Sequence, residues 1–408
     1  MAECSGYKDS GAAWIGKIPC TWDVHRLKVH LNRFEEKNPG DMQVLSLYRD
    51  LGIVPKDSRD DNHNVTSEDT SKYKYVQLGN FVVNKMKAWQ GSVAVSDYEG
   101  IVSPAYYVYK FTDSDFHKRY FHYLLRSCYR EEFMRLSGGI RIGQWDLSSG
   151  DLDNVPVLLP PMEEQKAIAL YLDNTTKCIE DLISEAKASI EEYKSWKASI
   201  IYEAVTKGLD PNVEMKDSGV DIIGSMPASW KLCRLKYLCD IMTGNQDTQD
   251  ADEKGIYPFY VRSPNIQRSN KYTFEGEGVL MAGDGAGAGR VFHHAFGKYA
   301  IHQRVYCLHN FKNINVEYFL YFISELFKKV MDKGSAQSTV PSIRLPMIQD
   351  FLFCIPSEGE QDQIVKLLNN RCASINSIIS EKEALVSDLE SYKKSLIFEV
   401  VTGKRRVV

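Results

Sequence analysis

The 408-residue sequence lacks the features of a membrane or secreted protein. It has no run of about 18 apolar residues, so no transmembrane helix is expected. Its first residues, MAECSGYKDSGAAW, show no basic stretch followed by an apolar one, and no signal peptide is predicted. The nine cysteines form no C-x-x-C pair and no disulfide-framework spacing. This usage favours reduced thiols in a cytoplasmic protein.

An excess of positive charge is also missing. The chain has 50 Lys+Arg against 54 Asp+Glu, a net charge of -4, and no long segment is strongly basic. If the protein binds DNA, it must use local patches or partners that supply positive charge. The 43% hydrophobic and 25% charged content is that of ordinary globular domains, and the length suits two or three of them.

Motifs for catalysis and cofactor binding are absent as well. There is no G-x-x-x-x-G-K-[ST] loop for ATP and no Asn/Asp-Pro-Pro-Tyr/Phe element of a base methyltransferase. The glycine run Gly283–Arg290 (GDGAGAGR) is followed by VFHHAFG, which predicts a strand rather than a helix. We therefore expect a tight β-turn there instead of a cofactor loop. His293, His294 and His302 have no ligand spacing, so no metal site is predicted.

What the sequence does contain is an internal repeat. Asp9–Lys28 returns as Asp217–Lys236 with ten of twenty positions identical at an offset of 208. Glu164–Gly208 returns as Glu360–Lys404 with 17 identities in 45 positions at an offset of 196. The sequences between these segments differ widely. We predict a duplicated scaffold that carries two diverged inserts.

The first repeated segment has a Gly, a Pro and a Trp ahead of Arg-Leu-Lys in both copies, which predicts a turn leading into a strand or short helix. We interpret Trp22 and Trp230 as core residues that plug the start of each domain. Contact with a ligand is the alternative.

The second repeated segment predicts a long helix in each half. Apolar positions step alternately by 4 and 3 over 364–396, and a similar pattern runs over 168–200. Such spacing over four or more heptads is typical of a coiled coil. At 1.5 Å per residue the rods would be roughly 60–65 Å long, and they most simply pack on each other. The predicted seam includes Leu182, Arg371, Leu385 and Tyr392.

The inserts predict two mixed β domains of one fold. Val76–Phe111 has β-branched and aromatic runs broken by Gly, Asp and Pro, and a helix is predicted over 116–136. The second insert has strand-like GVLMA and YAIHQRVYCL, then a predicted helix over 316–332. Basic side chains on the first helix form either a phosphate-facing stripe or a solvated face: Lys118, Arg119, Arg126, Arg130 and Arg135.

Polar loop residues are the remaining candidates for function. Arg, Lys, Asn and Gln reach base edges in the major groove, while Ser, Lys and backbone amides hold phosphates. Polar residues are common on any loop, which is the competing interpretation. The candidate DNA contacts are Lys85, Lys87, Gln90, Arg141 and Gln144 in the first insert, and Arg262, Ser263, Asn265, Arg290, Gln303, Arg304, Gln337, Ser338 and Arg344 in the second.

In their order and duplication, these segments resemble the DNA-specificity subunit of type I restriction–modification systems over essentially the whole chain. The matching stretches include WIGKIPCTWDVHRLK, LLPPMEEQKAIALYLD, IIGSMPASWKLCRLK, GDGAGAGRVF and GSAQSTVPSIRL. Each motif is moderately specific, and their arrangement makes the match strong. One departure is Ile355–Gln361 (IPSEGEQ), which lacks the double proline of LPPMEEQ and is expected to start its helix less firmly.

The resemblance implies an α+β fold with two mixed β-rich target-recognition domains, separated by two long helices packed as an antiparallel coiled coil in a pseudo-twofold repeat. The expected boundaries are 1–160 for the first recognition domain, 161–208 for the first spacer helix, 209–357 for the second domain and 358–408 for the second helix.

The resemblance also implies that each domain reads one half of a bipartite, asymmetric double-stranded DNA target. The helices would set the gap and dock two methyltransferase subunits, and motor-nuclease subunits would join for restriction. The chain itself would be non-catalytic and without a cofactor, since S-adenosylmethionine, ATP and Mg are expected on the partners. A coiled-coil scaffold without DNA specificity is the alternative, and the missing motifs disfavour a fused enzyme.

Overall fold

A computed structural model describes residues 6–49, 51–58, 66–67, 69–139, 145–334 and 341–407. The chain divides into unit 1, Met1–Ala186 with Leu385–Val408, and unit 2, Lys187–Ala384. Each long helix therefore contributes one part to each unit. Within the described ranges, no helix is both long and apolar enough to span a membrane.

Unit 1 contains short strands, three short helices and one end of each long helix. Its strands are β1 Tyr7–Asp9, β2 Lys17–Pro19, β3 Asp23–Arg26, β4 Leu31–Arg33, β5 Leu45–Tyr48, β6 Gly52–Pro55, β7 Lys74–Val76, β8 Phe81–Asn84, β9 Val93–Val95, β10 Gly100–Val102, β11 Tyr106–Phe111 and β12 Pro156–Leu159. Its helices are α1 Lys118–Cys128, α2 Arg130–Leu136, α3 Ser149–Asp153 and the first part of α4 Met162–Lys207.

A four-stranded antiparallel sheet in the order β4-β11-β8-β9 lies at the centre of unit 1. Successive side chains of β8 point to opposite faces, as in any strand. Phe81 and Val83 join the larger core with α1 and the long helices, while Val82 joins a smaller core with Leu47 and Ile53 of the β5–β6 hairpin. The sheet is thus covered on both faces.

The helix predicted over 116–136 is present as two helices, because Tyr129 interrupts it. Tyr129 has φ -100° and ψ -1°, and its hydroxyl donates to the Pro156 carbonyl at 2.8 Å. The ring is fully buried and packs edge-on against Trp14 at 5.9 Å. Anchoring this large side chain to the β12 strand turns the chain between α1 and α2.

Unit 2 is built from the same kinds of elements, and it has a second four-stranded sheet that unit 1 lacks among the described residues. Its strands are β13 Met215–Asp217, β14 Ser225–Pro227, β15 Lys231–Arg234, β16 Asp240–Thr243, β17 Tyr257–Tyr260, β18 Gln267–Ser269, β19 Phe274–Glu275, β20 Gly278–Ala282, β21 Phe292–Ala295, β22 Lys298–Ile301, β23 Val305–His309 and β24 Leu352–Ile355. Its helices are α5 Val316–Gly334, α6 Leu345–Gln349, the last part of α4 and the first part of α7 Glu358–Val401.

The two units share a frame and differ in what is inserted into it. The central sheet of unit 2, β16-β23-β20-β21, matches that of unit 1 strand for strand, and β15 pairs with β24 as β3 pairs with β12. The inserted parts are not alike. Unit 1 has the β5–β6 hairpin and the β7–β10 pair, whereas unit 2 has the sheet β18-β17-β22-β19, in which β17 and β22 run parallel. The predicted duplicated scaffold with diverged inserts is confirmed.

Trp22 and Trp230 are completely buried, as predicted for core residues. The indole Nε1 of Trp22 donates to Glu164 Oε2 at 2.9 Å, and that of Trp230 donates to Glu360 Oε2 at 3.0 Å. Each tryptophan therefore joins the two repeated segments of its own unit through the first turn of a long helix.

A buried glutamine follows in each helix and repeats the same bonds. Gln165 Oε1 accepts from the His117 amide and Gln165 Nε2 donates to the Pro160 carbonyl, and Gln361 makes the equivalent pair with Asn315 and Pro356. The start of α7, which lacks the second proline, therefore makes the same contacts as the start of α4, which has it.

One tyrosine hydroxyl in each unit also joins the sheet to a long-helix end. Tyr120 donates to the carbonyls of Leu158 and Val401 at 3.4 and 3.3 Å in unit 1. Tyr318 donates to those of Cys354 and Val205 at 2.9 and 3.1 Å in unit 2. The second carbonyl of each pair lies near the end of a long helix: that of Val401 in α7 for unit 1, and that of Val205 in α4 for unit 2.

The apolar seam between the long helices, predicted from alternating steps of four and three residues, is wrong by one residue at several positions. Leu182, Leu385 and Tyr392 are about half exposed, and Arg371 is exposed. Both helices take two successive steps of four at their starts, because an α-helix has 3.6 rather than 3.5 residues per turn. The buried positions that follow the seam include Ile168, Leu172, Thr176, Ile179, Ala186 and Ile190 in α4, and Ile364, Leu368, Cys372, Ile375, Val386 and Leu396 in α7.

Candidate nucleic-acid interface

Three strand ends of unit 2 converge on one surface. β17 and β22 are parallel neighbours, with Tyr260 opposite Ile301, so the chain leaves both strands at the same edge. β20 is paired with β23, and the Gly283 amide donates to the Arg304 carbonyl at 2.9 Å. Residues that follow these strands are therefore brought together by the sheet, although they are distant in sequence.

Asp284 binds two of the predicted arginines at this edge. Arg262 Nη1 lies 2.9 Å from Asp284 Oδ1, and Arg304 Nη1 lies 2.5 Å from Asp284 Oδ2. The carboxylate is 12% exposed, whereas the arginine side chains are 42% and 62% exposed. Partial burial raises the pKa of Asp284, but the hydrogen bonds from Arg304 and Arg262 outweigh it and lower that pKa below its ordinary value. The carboxylate stays charged and orients both guanidinium groups.

Gln303 lies beside this pair and is held by a second carboxylate. Its Nε2 donates to Asp247 Oδ2 at 3.0 Å. His302 is buried next to it, and its Nδ1 accepts from the Arg304 amide at 3.0 Å. Burial, followed by the charge of Arg262, lowers the pKa of His302, so the ring is neutral near pH 7. It supports the backbone of Arg304.

Ser263 and Asn265 continue from Arg262 on the turn after β17. Ser263 Oγ donates to the Asn265 carbonyl at 3.1 Å, and the amide side chain of Asn265 is exposed. The glycine run lies against this turn, since a Cβ on Gly287 would be 2.4 Å from the Arg262 carbonyl. Close approach of two backbones explains that glycine, and the run forms the predicted β-turn between β20 and β21.

The other candidates of unit 2 lie around the same turn. Arg290 ends the glycine run and forms an ion pair with Asp332 of α5. Arg344 is exposed directly before α6. The preceding Ile343 amide donates to the Gly283 carbonyl at 2.8 Å, so this loop is fastened to the end of β20. Gln337 and Ser338 lie outside the described residues.

In unit 1 the equivalent strand end carries different side chains. The Leu147 amide donates to the Lys85 carbonyl at 3.0 Å, which matches the bond between Ile343 and Gly283 in unit 2. Lys85 Nζ forms an ion pair with Asp146 Oδ2 at 2.7 Å, and this hydrogen bond raises the pKa of the lysine. Arg141 and Gln144 lie outside the described residues.

Two tryptophans from the segments that contain Lys85 and Asp146 pack on each other. The rings of Trp89 and Trp145 meet edge-on at 5.6 Å, and Trp89 Nε1 donates to the Met86 carbonyl. Lys87 is exposed and Gln90 is half-buried on the same short segment. The surface is therefore basic and aromatic in unit 1, in contrast to the arginine and amide surface of unit 2.

A further basic group, which no sequence motif predicts, lies beside Lys85. The Arg33 guanidinium lies 4.8 Å from the centre of the Tyr107 ring, and Lys74 Nζ lies 5.9 Å from it. Glu35 pairs with Arg33 at 2.9 Å. Burial, followed by repulsion from Arg33, lowers the pKa of Lys74. These residues come from separate strands, and no local motif marks them.

The basic residues of α1 and α2 do not form a uniform stripe. Arg119 Nε pairs with Asp173 Oδ1 at 2.7 Å, Arg126 Nη2 donates to the Arg49 carbonyl at 2.6 Å, and Arg135 pairs with Glu132 at 2.6 Å. Only Lys118 and Arg130 of the five are exposed without a contact of this kind among the described residues. The other three are each held by a partner within the chain, so the five side chains do not project as one uniform row.

The sequence model of the family described as "Type I restriction modification DNA specificity domain" matches residues 28–192 and again residues 227–386. The matched residues are well over half of the chain. This protein therefore belongs to the family of type I restriction–modification DNA specificity domains and contains two copies of the domain.

Individual relatives agree with this assignment. The type I restriction enzyme EcoDI specificity subunit of Escherichia coli is 28% identical over 181 residues, which are 44% of this chain and 40% of that protein. The MjaVIII specificity subunit of Methanocaldococcus jannaschii is 26% identical over 282 residues, 62% of this chain and 63% of that protein. The matches span about two fifths and three fifths of these relatives.

A solved structure shows the same fold over nearly the whole chain. It comes from work on complex assembly and conformational transition of the type I restriction–modification system, and it aligns with a TM-score of 0.72 at 15% identity. The alignment covers 95% of this chain and 99% of that one.

Proposed function

We propose that this chain is the DNA-recognition subunit of a type I restriction–modification complex, in which each unit reads one half of a bipartite, asymmetric target. The best support is that the two units carry different charged side chains at the equivalent strand end of the frame that they share. After β20, unit 2 has Arg262 and Arg304 on Asp284, whereas after β8, unit 1 has Lys85 on Asp146. Two different surfaces suit two different short sequences.

The arginine pair has the donors that base recognition needs. A guanidinium has five N–H donors in a fixed plane, and a carboxylate that occupies one side leaves the others available. Those can make two parallel hydrogen bonds to O6 and N7 of guanine or to a phosphate. Gln303, Ser263 and Asn265 add further donors and acceptors on the same edge. Arg141, Gln144, Gln337, Ser338 and Arg344 belong to the proposed contacts as well.

The long helices act as the spacer between the half-sites in this proposal. They would form an antiparallel coiled coil with pseudo-twofold symmetry. In unit 1 the start of α4 packs with Leu396 and Val400 near the end of α7, and in unit 2 the start of α7 packs with Ile201 and Val205 near the end of α4. This exchange of ends supports the antiparallel arrangement.

Chemistry would belong to the partners. We infer that two methyltransferase subunits supply S-adenosylmethionine-dependent methylation and that motor-nuclease subunits supply ATP- and Mg-dependent cleavage. Partly exposed apolar residues along the outer faces of the helices would contact protein partners: Leu182, Trp196, Leu385 and Tyr392 are 47–49% exposed. These residues are also what favours the alternative function, a coiled-coil scaffold without DNA specificity.

The two functions are separated by mapping adenine methylation. Single-molecule sequencing would compare DNA from cells that express the cognate methyltransferase with and without this chain. A two-part motif with a fixed gap that requires both proteins supports the recognition function. A methyltransferase that binds this chain and yields no chain-dependent motif would support the scaffold.

A further inference from the structure

We propose that unit 1 binds one divalent transition-metal ion through His30, Asp113 and Asp115. His30 Nδ1 lies 2.9 Å from Asp113 Oδ2 and 3.7 Å from Asp115 Oδ2, and the three donor atoms all lie within 4.8 Å of one another. Two donors that share an ion at about 2.1 Å are roughly 3–3.5 Å apart. The His30–Asp113 pair is already close to that spacing, and the Asp115 carboxylate would have to rotate toward the other two donors to share an ion.

Two of the three donors, those of His30 and Asp113, are held in place by their surroundings. The His30 ring is 2% exposed and lies between His25, stacked at 5.0 Å, and Phe116, edge-on at 5.0 Å. Asp113 Oδ1 accepts from the Asp115 amide at 3.1 Å. A site whose ligands are positioned before binding loses little conformational entropy when the metal enters.

His25 provides the outer partner that a metal-binding histidine normally has. Its Nδ1 lies 2.8 Å from His30 Nε2. If His30 Nε2 carries the proton and donates it to His25, the lone pair of His30 Nδ1 faces two carboxylates, which is favourable only with a cation between them. Without a cation, His30 Nδ1 instead carries the proton and donates it to Asp113.

The repeat shows that the fold does not need a histidine here. At the offset of 208, His25 corresponds to Cys233 and His30 to Leu238. Leu238 is also buried, and its amide donates to the Leu235 carbonyl as the His30 amide donates to that of Leu27. Leucine thus fills the position in unit 2, and the imidazole next to two carboxylates is an addition in unit 1.

The location suggests a structural metal rather than a catalytic one. The Asp115 carbonyl accepts from Gln165 Nε2 at 2.8 Å, so the carboxylate turn is fastened to the start of α4. Asp113 and Asp115 are 32% and 57% exposed, which leaves an entry path and room for water ligands. One imidazole nitrogen with carboxylate oxygens suits Zn²⁺, Co²⁺, Ni²⁺ or Mn²⁺ better than the all-oxygen ions Mg²⁺ and Ca²⁺.

The test uses the full chain after removal of metal with a chelator. Thermal unfolding is followed while Zn²⁺, Co²⁺ or Mn²⁺ is added, bound metal is counted after desalting, and the visible spectrum of Co²⁺ reports its ligands. We expect one ion per chain and a rise of roughly 5 °C in the Tm at about a 100-fold excess over Kd.

Three variants make the assignment specific. His30→Leu places the residue of unit 2 in unit 1, and Asp113→Asn keeps the size of the side chain. Both should abolish the metal-dependent shift and the Co²⁺ spectrum. His294→Gln is the matched control, because His294 pairs with Glu277 at 2.9 Å but no third donor joins them among the residues that the structure describes. Its metal response should equal that of the unaltered chain.

Either of two results would overturn the proposal. One is the absence of any stoichiometric metal or Tm shift in the unaltered chain. The other is a shift that persists in Asp113→Asn, which would place the metal elsewhere; its loss in His294→Gln would point to His294. If His30→Leu does not fold, Asp113→Asn and the Co²⁺ spectrum still decide the question.

Discussion

Lys197 of α4 donates from Nζ to Asn376 Oδ1 of α7 at 2.8 Å, within unit 2. In unit 1, Lys393 of α7 forms an ion pair with Glu180 of α4. Lys197 corresponds to Lys393 and Glu180 to Asn376 at the offset of 196. The same contact is therefore made twice with the roles of the helices exchanged, which is what the proposed symmetric spacer requires.

Shortening both helices by one matched heptad should shorten the gap between half-sites. Removal of residues 187–193 and 383–389, which correspond at the offset of 196, takes roughly 10 Å from each rod, about three base pairs of B-DNA. Methylation mapping would then show both half-sites unchanged and a smaller gap. Deletion from α4 alone should misalign the Lys197 contact and destabilise the pair. An unchanged gap in the double deletion would disprove the spacer role.

Asp284→Asn should weaken recognition of one half-site only. The neutral amide no longer balances the charges of Arg262 and Arg304, so both guanidinium groups lose their fixed orientation. Discrimination at that half-site should fall about 10- to 100-fold, the usual worth of a bidentate base contact. Asp146→Asn is the matched variant for unit 1, and Arg141→Ala should likewise affect only the other half. Equal relaxation of both halves by any one variant would contradict separate reading.

Tyr318→Phe should destabilise unit 2, because the carbonyls of Cys354 and Val205 lose a buried donor. A loss of about 1–3 kcal/mol in the free energy of unfolding is expected. Tyr120→Phe should have the same effect on unit 1. Hydrogen exchange resolved by peptide would measure both, and loss of protection confined to the unit that carries the substitution is the expected outcome.

Acid should destabilise unit 1 through His122. Burial, followed by the charges of Arg126 and Arg119, lowers the pKa of His122 from about 6.5 to about 3. Between these values the unfolded chain binds a proton that the folded chain does not, so stability falls as pH drops from about 6.5 to about 3. His122→Asn should flatten this part of the pH profile in urea unfolding. An unchanged slope would assign the acid sensitivity to other groups.

The frame of strands and long helices that the two units share was predictable, because the sequence segments that mark it are local and occur twice. Trp22 and Trp230 stand at the same place in two similar segments, and a burial role follows from either copy. The heptad seam was predictable only in part, since positions spaced at 3.5 residues per turn drift away from the buried face of an α-helix with 3.6 residues per turn.

The functional surface was less predictable because its residues meet through the sheet. The residue types of Arg262 and Arg304 predict base contact. Nothing in the sequence pairs either of them with Asp284, which lies in the glycine run that was considered as a cofactor loop. His30 and Asp113 are 83 positions apart and become neighbours only when β4 pairs with β11. Long-range strand pairing of this kind leaves no pattern in a single sequence.

The bond from Tyr120 to the Val401 carbonyl also has a consequence for synthesis of the chain. Unit 1 needs Leu396 and Val400 to cover Ile168 and Leu172, yet all of unit 2 is made in between. At about 5–20 residues per second, the ribosome needs roughly 10–40 s for that stretch. Unit 2 can therefore finish folding first. Until Leu396 and Val400 are made, Ile168 and Leu172 remain exposed in the nascent chain, and a chaperone would bind this apolar surface.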